Sequence, residues 1–217
     1  MCHVGCVVFA ILNLNISDVK DKRIIEVGSL DVNGSLRPII LNWGPSEYIG
    51  VDISKGKGVD VICNAENLEA MFGTESFDVV ISTELLEHVK NWRKVISNFK
   101  KICKPNGIIL ITTVSYGFPY HGYPHDYWRY ELADMKTIFS DCIIKKLEAS
   151  AHVNAVFIKA KKPKCFVEHD LSTYTLYCIT ANKRVKVPYA SRSFLLRYLV
   201  KKLLSSTLKI LRDLTVR

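Results

Sequence analysis

The run Arg23-Ile24-Ile25-Glu26-Val27-Gly28, followed by Ser29-Leu30-Asp31-Val32-Asn33-Gly34, constrains the fold more than any other stretch of this chain. A short apolar run that ends in an acid, then a glycine, then small and polar residues predicts a buried strand opening into a tight loop. Lacking a Cβ, Gly28 lets ligand atoms approach its backbone, and Asn33-Gly34 tolerates positive φ just before a helix begins. Eighteen residues beyond Gly34, Tyr48-Ile49-Gly50-Val51-Asp52-Ile53 brings a second predicted strand to an acid. A carboxylate there can accept both hydroxyls of a ribose, as in nucleotide-binding doubly wound sheets. Two strands therefore point at one nucleoside.

The rest of the chain repeats the alternation. Ser35 to Trp43 carries apolar residues at helical spacing and stops at Gly44-Pro45. Val59 to Cys63 is a predicted strand, Asn67 to Phe72 a short helix, and Phe77 to Ser82 an almost wholly apolar strand of the kind covered on both faces. A helix is predicted to follow it, with Trp92, Val95, Ile96, Phe99 and Ile102 on one side, until Lys104-Pro105-Asn106-Gly107 ends it before a strand over Ile108 to Val114. Strand and helix in alternation predict an α/β doubly wound, mostly parallel sheet with right-handed crossovers. Beyond it come an aromatic loop from Ser115 to Tyr130, a helix over Glu131 to Phe139, two strands (Cys142 to Glu148, Asn154 to Lys161) close enough to pair antiparallel, and a hairpin over Leu176 to Val187 turning near Asn182. The apolar run Val4 to Leu12 is too short to span a bilayer and is predicted to pack on the sheet as a helix.

Charge divides the chain. Residues 183–217 hold ten Lys and Arg against Asp213 alone, so the whole net charge of +9 sits there and residues 1–182 balance to zero. A neutral body argues against a nucleic-acid partner, because that affinity is dominated by phosphate neutralisation. Within the tail, Leu196, Leu199, Val200, Leu203, Leu204, Ile210, Leu211 and Leu214 fall on one helical side, with Lys201, Lys202, Lys209 and Arg212 largely opposite. The division reads as a domain over 1–187 and a basic amphipathic helix over 188–217, which either lies on an anionic membrane surface or docks on the body or a second subunit. Seven cysteines without a C-x-x-C pair favour reduced, buried thiols and a cytoplasmic protein.

Glu26-Val-Gly-Ser, Gly50-Val-Asp-Ile, Phe77-Asp-Val-Val-Ile-Ser-Thr-Glu-Leu-Leu-Glu-His-Val and Lys104-Pro-Asn-Gly, in this order and spacing, resemble class I S-adenosylmethionine-dependent methyltransferases over roughly residues 20–161. A nicotinamide-binding domain would want G-x-G-x-x-G in the first loop, where this chain has Gly28 and Gly34. The resemblance implies S-adenosyl-L-methionine as cofactor. It implies that Glu26 and the Gly28-Ser29 backbone meet the methionine moiety, Asp52 the ribose, and Ile53 one adenine face. Asn64-Ala65-Glu66 stands where related sequences carry Asp-Ala-Glu, so the Asn64 amide oxygen would accept from the adenine amino group. Thr83 completes the cofactor set.

Glu84, Glu87 and His88 follow the fourth strand at spacings that place all three on one face if the segment is helical. The spacing resembles metal-dependent O-methyltransferases of small RNAs and of ubiquinone synthesis. The same Leu-Glu-His-Val run also occurs in methyltransferases of this type without a metal, with the acid capping and the imidazole on the active-site floor, and no metal is expected here. Gly117 to Tyr130, with its His-Gly-Tyr-Pro-His-Asp-Tyr-Trp-Arg-Tyr run, lies after the fifth strand, at the carboxyl edge where open sheets bind ligands. In the resembling small bacterial and archaeal methyltransferases a similar segment lies over the acceptor. Tyr120, His121, Tyr127, Trp128 and Arg129 are therefore the expected acceptor contacts, and His125 and His88 the expected catalytic residues, since imidazole titrates near neutral pH. The function expected is methyl transfer to an oxygen, less readily a nitrogen, of a small-molecule or glycan-like acceptor. Its rivals are a metal-assisted RNA 2′-O-methyltransferase and a non-catalytic cofactor-binding scaffold.

Overall fold

A computed structural model describes residues 4–122, 125–150, 152–200 and 204. The first strand, β1 (Arg23–Val27), runs parallel to β2 (Glu47–Asp52) on one side and to β4 (Phe77–Thr83) on the other. β3 (Val61–Ile62) extends the sheet beyond β2. β5 (Cys103–Val114) pairs parallel to β4, and β8 (Ala155–Lys161) lies antiparallel between β5 and β7 (Ile143–Ala149). The strand order is thus β3-β2-β1-β4-β5-β8-β7. The order reverses direction between β1 and β4, which opens a crevice at the carboxyl ends of those strands.

Helices cover both faces because alternate strand residues are apolar on both. On one face Ile24, Val79, Ile81 and Leu110 pack with α1 (Val4–Asn13), α2 (Ile16–Val19) and α3 (Arg37–Asn42). Here Phe9 of α1 meets Phe157 of β8 at 5.2 Å between ring centroids, which realises the predicted packing of the N-terminal apolar run. On the other face Ile25, Val27, Val80 and Ile109 pack with α4 (Leu68–Phe72), α5 (Trp92–Ile102) and α6 (Leu132–Ile138). Full burial of residues such as Trp92, Phe99 and Ile96 removes about 1.5–3 kcal/mol of apolar exposure each.

Three features differ from the sequence reading. α5 begins at Trp92, so Glu84 to Lys90 is a series of turns and no helix presents Glu84, Glu87 and His88 on one face. The backbone at Glu84 has φ +52°, a left-handed conformation that a helix cannot contain. β5 begins at Cys103, five residues early, with a pairing irregularity across Pro105-Asn106-Gly107. The predicted hairpin exists as β9 (Leu176–Cys178) and β10 (Lys183–Val185), with Asn182 at φ +55° in its turn, but it also pairs with β6 (Trp128–Arg129) to make a separate three-stranded sheet. Arg93 of α5 ties this sheet down by donating to the carbonyls of Leu171 (2.7 Å), Lys186 (2.9 Å) and Tyr174.

The stretch expected to start a separate tail is joined to the body. Thr180 Oγ1 donates to the Tyr189 carbonyl at 2.8 Å, and Ser191 N donates to the Thr180 carbonyl at 2.9 Å. Residues 192–200 then form a helix. Residues 201–203 and 205–217, with half of the predicted apolar stripe and the four basic residues placed opposite it, lie outside the described residues. Among the described residues no helix is long and apolar enough to cross a membrane. Cys6, Cys63, Cys103 and Cys178 are buried, as predicted, whereas Cys142 is half-buried and Cys165 exposed.

Candidate functional site

A cavity of about 460 Å³ opens at the carboxyl ends of β1, β2, β3 and β4. Gly28 and Leu30 line it after β1, Asp52 and Ile53 after β2, Asn64, Ala65 and Glu66 after β3, and Leu85 and His88 after β4. Gly28 adopts φ +83°, and a Cβ there would lie 3.1 Å from Leu85 Cβ. Any side chain would therefore strain the turn and fill the cradle. The loop is fixed by the backbone: Gly28 N and Ser29 N both donate to the Val51 carbonyl, at 2.8 and 3.1 Å. Asp52 Oδ1 accepts from Ser54 N at 3.0 Å, and Oδ2 lies 3.4 Å from Leu30 N, so two loop amides orient the carboxylate at the cavity edge. Ile53 is at the rim, 58% exposed. Asn64 uses Oδ1 to cap the short turn Ala65–Asn67, accepting from Glu66 N at 2.9 Å. An oriented acid, a side-chain-free turn and mostly apolar walls fit a ribose and an adenine.

Glu26 and Thr83, and Ser29, which was expected to meet the cofactor through its backbone, are not among the residues that line this cavity. Alternation along β1 turns Glu26 to the face of Ile24, among α1 to α3, where it is almost wholly buried. Burial pushes its carboxyl up to about 7, although Tyr48 Oη donates to Oε2 at 2.6 Å and counters part of that rise. Ser29 keeps its backbone in the loop, but its Oγ is buried beside Gly50 and has no hydrogen-bond partner among the described residues. Thr83 is enclosed at the end of β4.

A second cavity of about 300 Å³ adjoins the first, and His125 and Tyr127 line both. Tyr120, Tyr189, Phe194 and Tyr198 form the rest of its aromatic wall. Tyr120 meets Phe194 at 5.0 Å and Tyr198 at 6.1 Å between centroids, so the helix over 192–200 is one side of the cavity. Tyr189, Phe194 and Tyr198 were not anticipated. Their signal was the i, i+4 spacing of Phe194 and Tyr198, which puts both rings on one helical face.

The aromatic segment divides by direction. Tyr120, His125 and Tyr127 face cavities, and the His125 ring stacks on Tyr127 at 5.4 Å. Trp128 and Arg129 are interior, which corrects their assignment to the acceptor. Trp128 Nε1 donates to the Val89 carbonyl at 2.9 Å, and the Arg129 guanidinium pairs with buried Asp126. Burial would raise the Asp126 carboxyl, but Arg129 and His121 together hold it well below the usual carboxylate range. In return the Asp126 bond raises the His121 imidazole above its ordinary value. Tyr123 and Pro124 lie outside the described residues.

Beneath this segment the three polar residues after β4 make different contacts. Glu84 accepts a bond from Cys6 Sγ at 3.5 Å, and burial, reinforced by the Glu87 carboxylate, raises its carboxyl. Glu87 Oε2 accepts from Thr113 Oγ1 at 2.8 Å. His88 turns Nδ1 to the His125 carbonyl and packs edge-on against His121 at 4.9 Å. Thus His121, which lines neither cavity, replaces Glu84 beside Glu87 and His88.

A doubly wound sheet with this strand order, and a cavity at its switch point lined by Gly28, Asp52 and Asn64, define a methyltransferase-type cofactor-binding domain. A family profile described as a methyltransferase domain matches residues 7–147. The chain belongs to that family, and S-adenosylmethionine is the cofactor of its domain. Among solved structures, an S-adenosylmethionine-dependent methyltransferase from Mesorhizobium loti superposes with a TM-score of 0.56 at 14% identity, covering 73% of this chain and 98% of that one. The Burkholderia thailandensis 1,6-didemethyltoxoflavin-N1-methyltransferase, solved with its substrate and S-adenosylhomocysteine, gives 0.59 at 13% identity over 73% of this chain and 78% of that one. At such identities the likeness concerns the fold. By sequence, a ubiquinone biosynthesis O-methyltransferase of Rickettsia canadensis is 36% identical over 62 residues, 29% of this chain and 26% of that protein. The match spans about a quarter of the length of such relatives.

Proposed function

We propose that this chain transfers the methyl group of S-adenosylmethionine to a hydroxyl oxygen of a small, ring-bearing acceptor. The observation that carries this reading is the shared wall: His125 and Tyr127 line both the cofactor cavity and the aromatic cavity beside it. Bound S-adenosylmethionine supplies a methyl group already activated on sulfonium, so alignment and proton removal are what remain for the protein.

Asp52 holds the ribose and Gly28 lets the backbone close on the methionine end. Ile53 and the Asn64-Ala65-Glu66 turn bound the adenine. Tyr120, Tyr127, Phe194 and Tyr198 hold a flat acceptor by its faces. His125 stands at the junction and takes the hydroxyl proton, while His88 forms the floor of the cofactor side. The short similarity to ubiquinone O-methyltransferases favours oxygen over nitrogen as the acceptor atom.

The test is formation of S-adenosylhomocysteine from S-adenosylmethionine across paired phenols, catechols and aryl amines. Phenolic turnover is expected, with His125→Ala lowering kcat by about 10² to 10⁴, a far larger effect than on cofactor affinity. Cofactor binding without turnover on any acceptor would favour the scaffold reading.

The helix over 192–200 supports a second reading, peripheral contact with an anionic membrane. Leu196, Leu199 and Val200 are 66%, 54% and 47% exposed on a helix that also carries Arg192 and Arg197. Each basic residue near an anionic surface contributes about 1 kcal/mol, and the leucines add burial. Sedimentation with phosphatidylserine liposomes at low salt, reversed as ionic strength rises, is the expected behaviour.

A further inference from the structure

We propose that Glu84, in place of Glu26, receives the ammonium group of the methionine moiety of S-adenosylmethionine. Alternation along β1 turns Glu26 away from the cavity, to a buried position where Tyr48 Oη donates to it. The ammonium then needs another anion. Asp52, Glu66 and Glu84 are the carboxylates among the described residues that line the cavity. Asp31, in the loop after β1, is not in the lining and pairs with Lys57 at 2.7 Å. In the strand order β3-β2-β1-β4, Glu66 follows β3, Asp52 ends β2 and Glu84 follows β4, so Glu84 alone of the three lies beyond β1. Neighbouring strands stand about 4.8 Å apart, which sets the ends of β2 and β4 about 10 Å from each other. An extended cofactor covers a distance of that order from its ribose hydroxyls, through the sulfur, to its amino group. With adenine at the Asn64-Ala65-Glu66 turn and ribose at Asp52, the amino acid end falls beyond Gly28, where Glu84 stands.

The surroundings fix Glu84 in this position. Its N donates to the Thr112 carbonyl at 2.9 Å, which continues the pairing of β4 with β5, and φ +52° then turns the chain out of the sheet. Thr112 Oγ1 donates to Cys6 Sγ at 3.1 Å, and Cys6 Sγ donates to Glu84 Oε1 at 3.5 Å. This chain of donors, from β5 through α1, orients one carboxylate oxygen. α1 thus covers the sheet and braces the acid at its edge. Val27, Leu85 and Val89 make the cavity wall on this side apolar, and a carboxylate among such residues is costly without an opposite charge. Burial and the Glu87 carboxylate raise the Glu84 carboxyl, and a ligand ammonium in contact opposes both effects. The same contact would make the cavity select a nucleoside that carries an amino group at its far end over one that does not. It depends on the cofactor and not on the identity of the acceptor.

The experiment is calorimetry on the full chain with two ligands, S-adenosylhomocysteine and S-adenosyl-4-thiobutyrate, which lacks only the ammonium. Glu84→Gln is expected to weaken S-adenosylhomocysteine by about ten- to hundredfold, the range for a hydrogen bond to a charged group. It should change the deaminated analogue by less than about threefold, because a contact that is absent cannot be lost. Glu84→Asn, which suits the left-handed backbone, serves if Glu84→Gln folds poorly, with circular dichroism as the check. Wild-type affinity for S-adenosylhomocysteine in a folded Glu84 variant, or an equal loss for the two ligands, would overturn the assignment. So would a selective loss in Glu26→Gln with none in Glu84→Gln, which would return the ammonium to β1. Methyl transfer to phenols, assayed on the same wild type, separates this contact from the proposed reaction: discrimination between the two ligands without turnover retains Glu84 and removes the O-methyl transfer reading.

Discussion

The Arg129 guanidinium clamps the Asp126 carboxylate in the interior of the protein, Nη1 donating to Oδ1 at 2.5 Å and Nη2 to Oδ2 at 2.8 Å. The same carboxylate accepts from His121 N at 3.0 Å, and Arg129 also donates to the carbonyls of Phe118 and Pro119, both at 3.0 Å. One buried ion pair thus sets the course of the aromatic segment from Phe118 to Arg129. Removing one partner of such a pair leaves an uncompensated charge, so Arg129→Ala is expected to cost about 3–5 kcal/mol in urea unfolding. A loss below about 1 kcal/mol would show that the segment is held by its rings instead.

Asp52 is the residue on which cofactor affinity should depend most directly. Asp52→Ala is expected to weaken S-adenosylmethionine binding by about 1–3 kcal/mol, the range for hydrogen bonds to a charged group. Calorimetry on the folded variant decides it, and unchanged affinity would remove Asp52 from the ribose site.

Glu26 makes stability depend on pH with a definite sign. Its carboxyl rises from 4.5 to about 7 on folding, so the folded chain holds this proton more tightly than the unfolded chain. The contribution is full below about 4.5 and is lost as pH rises through about 7, a change of about 3 kcal/mol for this one group. Glu26→Gln cannot ionise. Relative to wild type, the variant should therefore gain stability between pH 5 and pH 8 in matched urea titrations. A constant difference across that range would place the proton elsewhere.

Phe194 tests whether the helix over 192–200 is part of the acceptor site. An aromatic contact is worth about 0.5–1.5 kcal/mol, so Phe194→Ala should raise the acceptor KM by about two- to tenfold. S-adenosylmethionine affinity should stay as in wild type, because Phe194 lines only the second cavity. A chain ending at Pro188 should likewise keep the cofactor and lose the acceptor. If cofactor binding falls with either change, the helix supports the body and not the acceptor.

Local pattern alone was sufficient for the elements whose identity depends on hydrophobic period and turn chemistry. The strand from Ile24 to Val27, the glycine after it, the acid at Asp52 and the alternation up to Val114 were all legible, because a parallel sheet buried on both faces requires apolar strands and its turns require particular residues. The antiparallel pair near the end and the hairpin turn at Asn182 were legible for the same reason. Direction was not. That Glu26 faces Tyr48 and not the cavity depends on which side of β1 the helices α1 to α3 occupy. That Glu84 and Glu87 do not share one helical face depends on a left-handed backbone at Glu84, which spacing on an assumed helix hides. Bringing His121 to Glu87 and His88, or Phe194 to Tyr120, joins residues 34 and 74 positions apart. Those meetings are made by the Asp126–Arg129 clamp and the three-stranded sheet of β6, β9 and β10. Periodicity speaks of neighbours along the chain, whereas long-range contacts are decided by how whole elements pack.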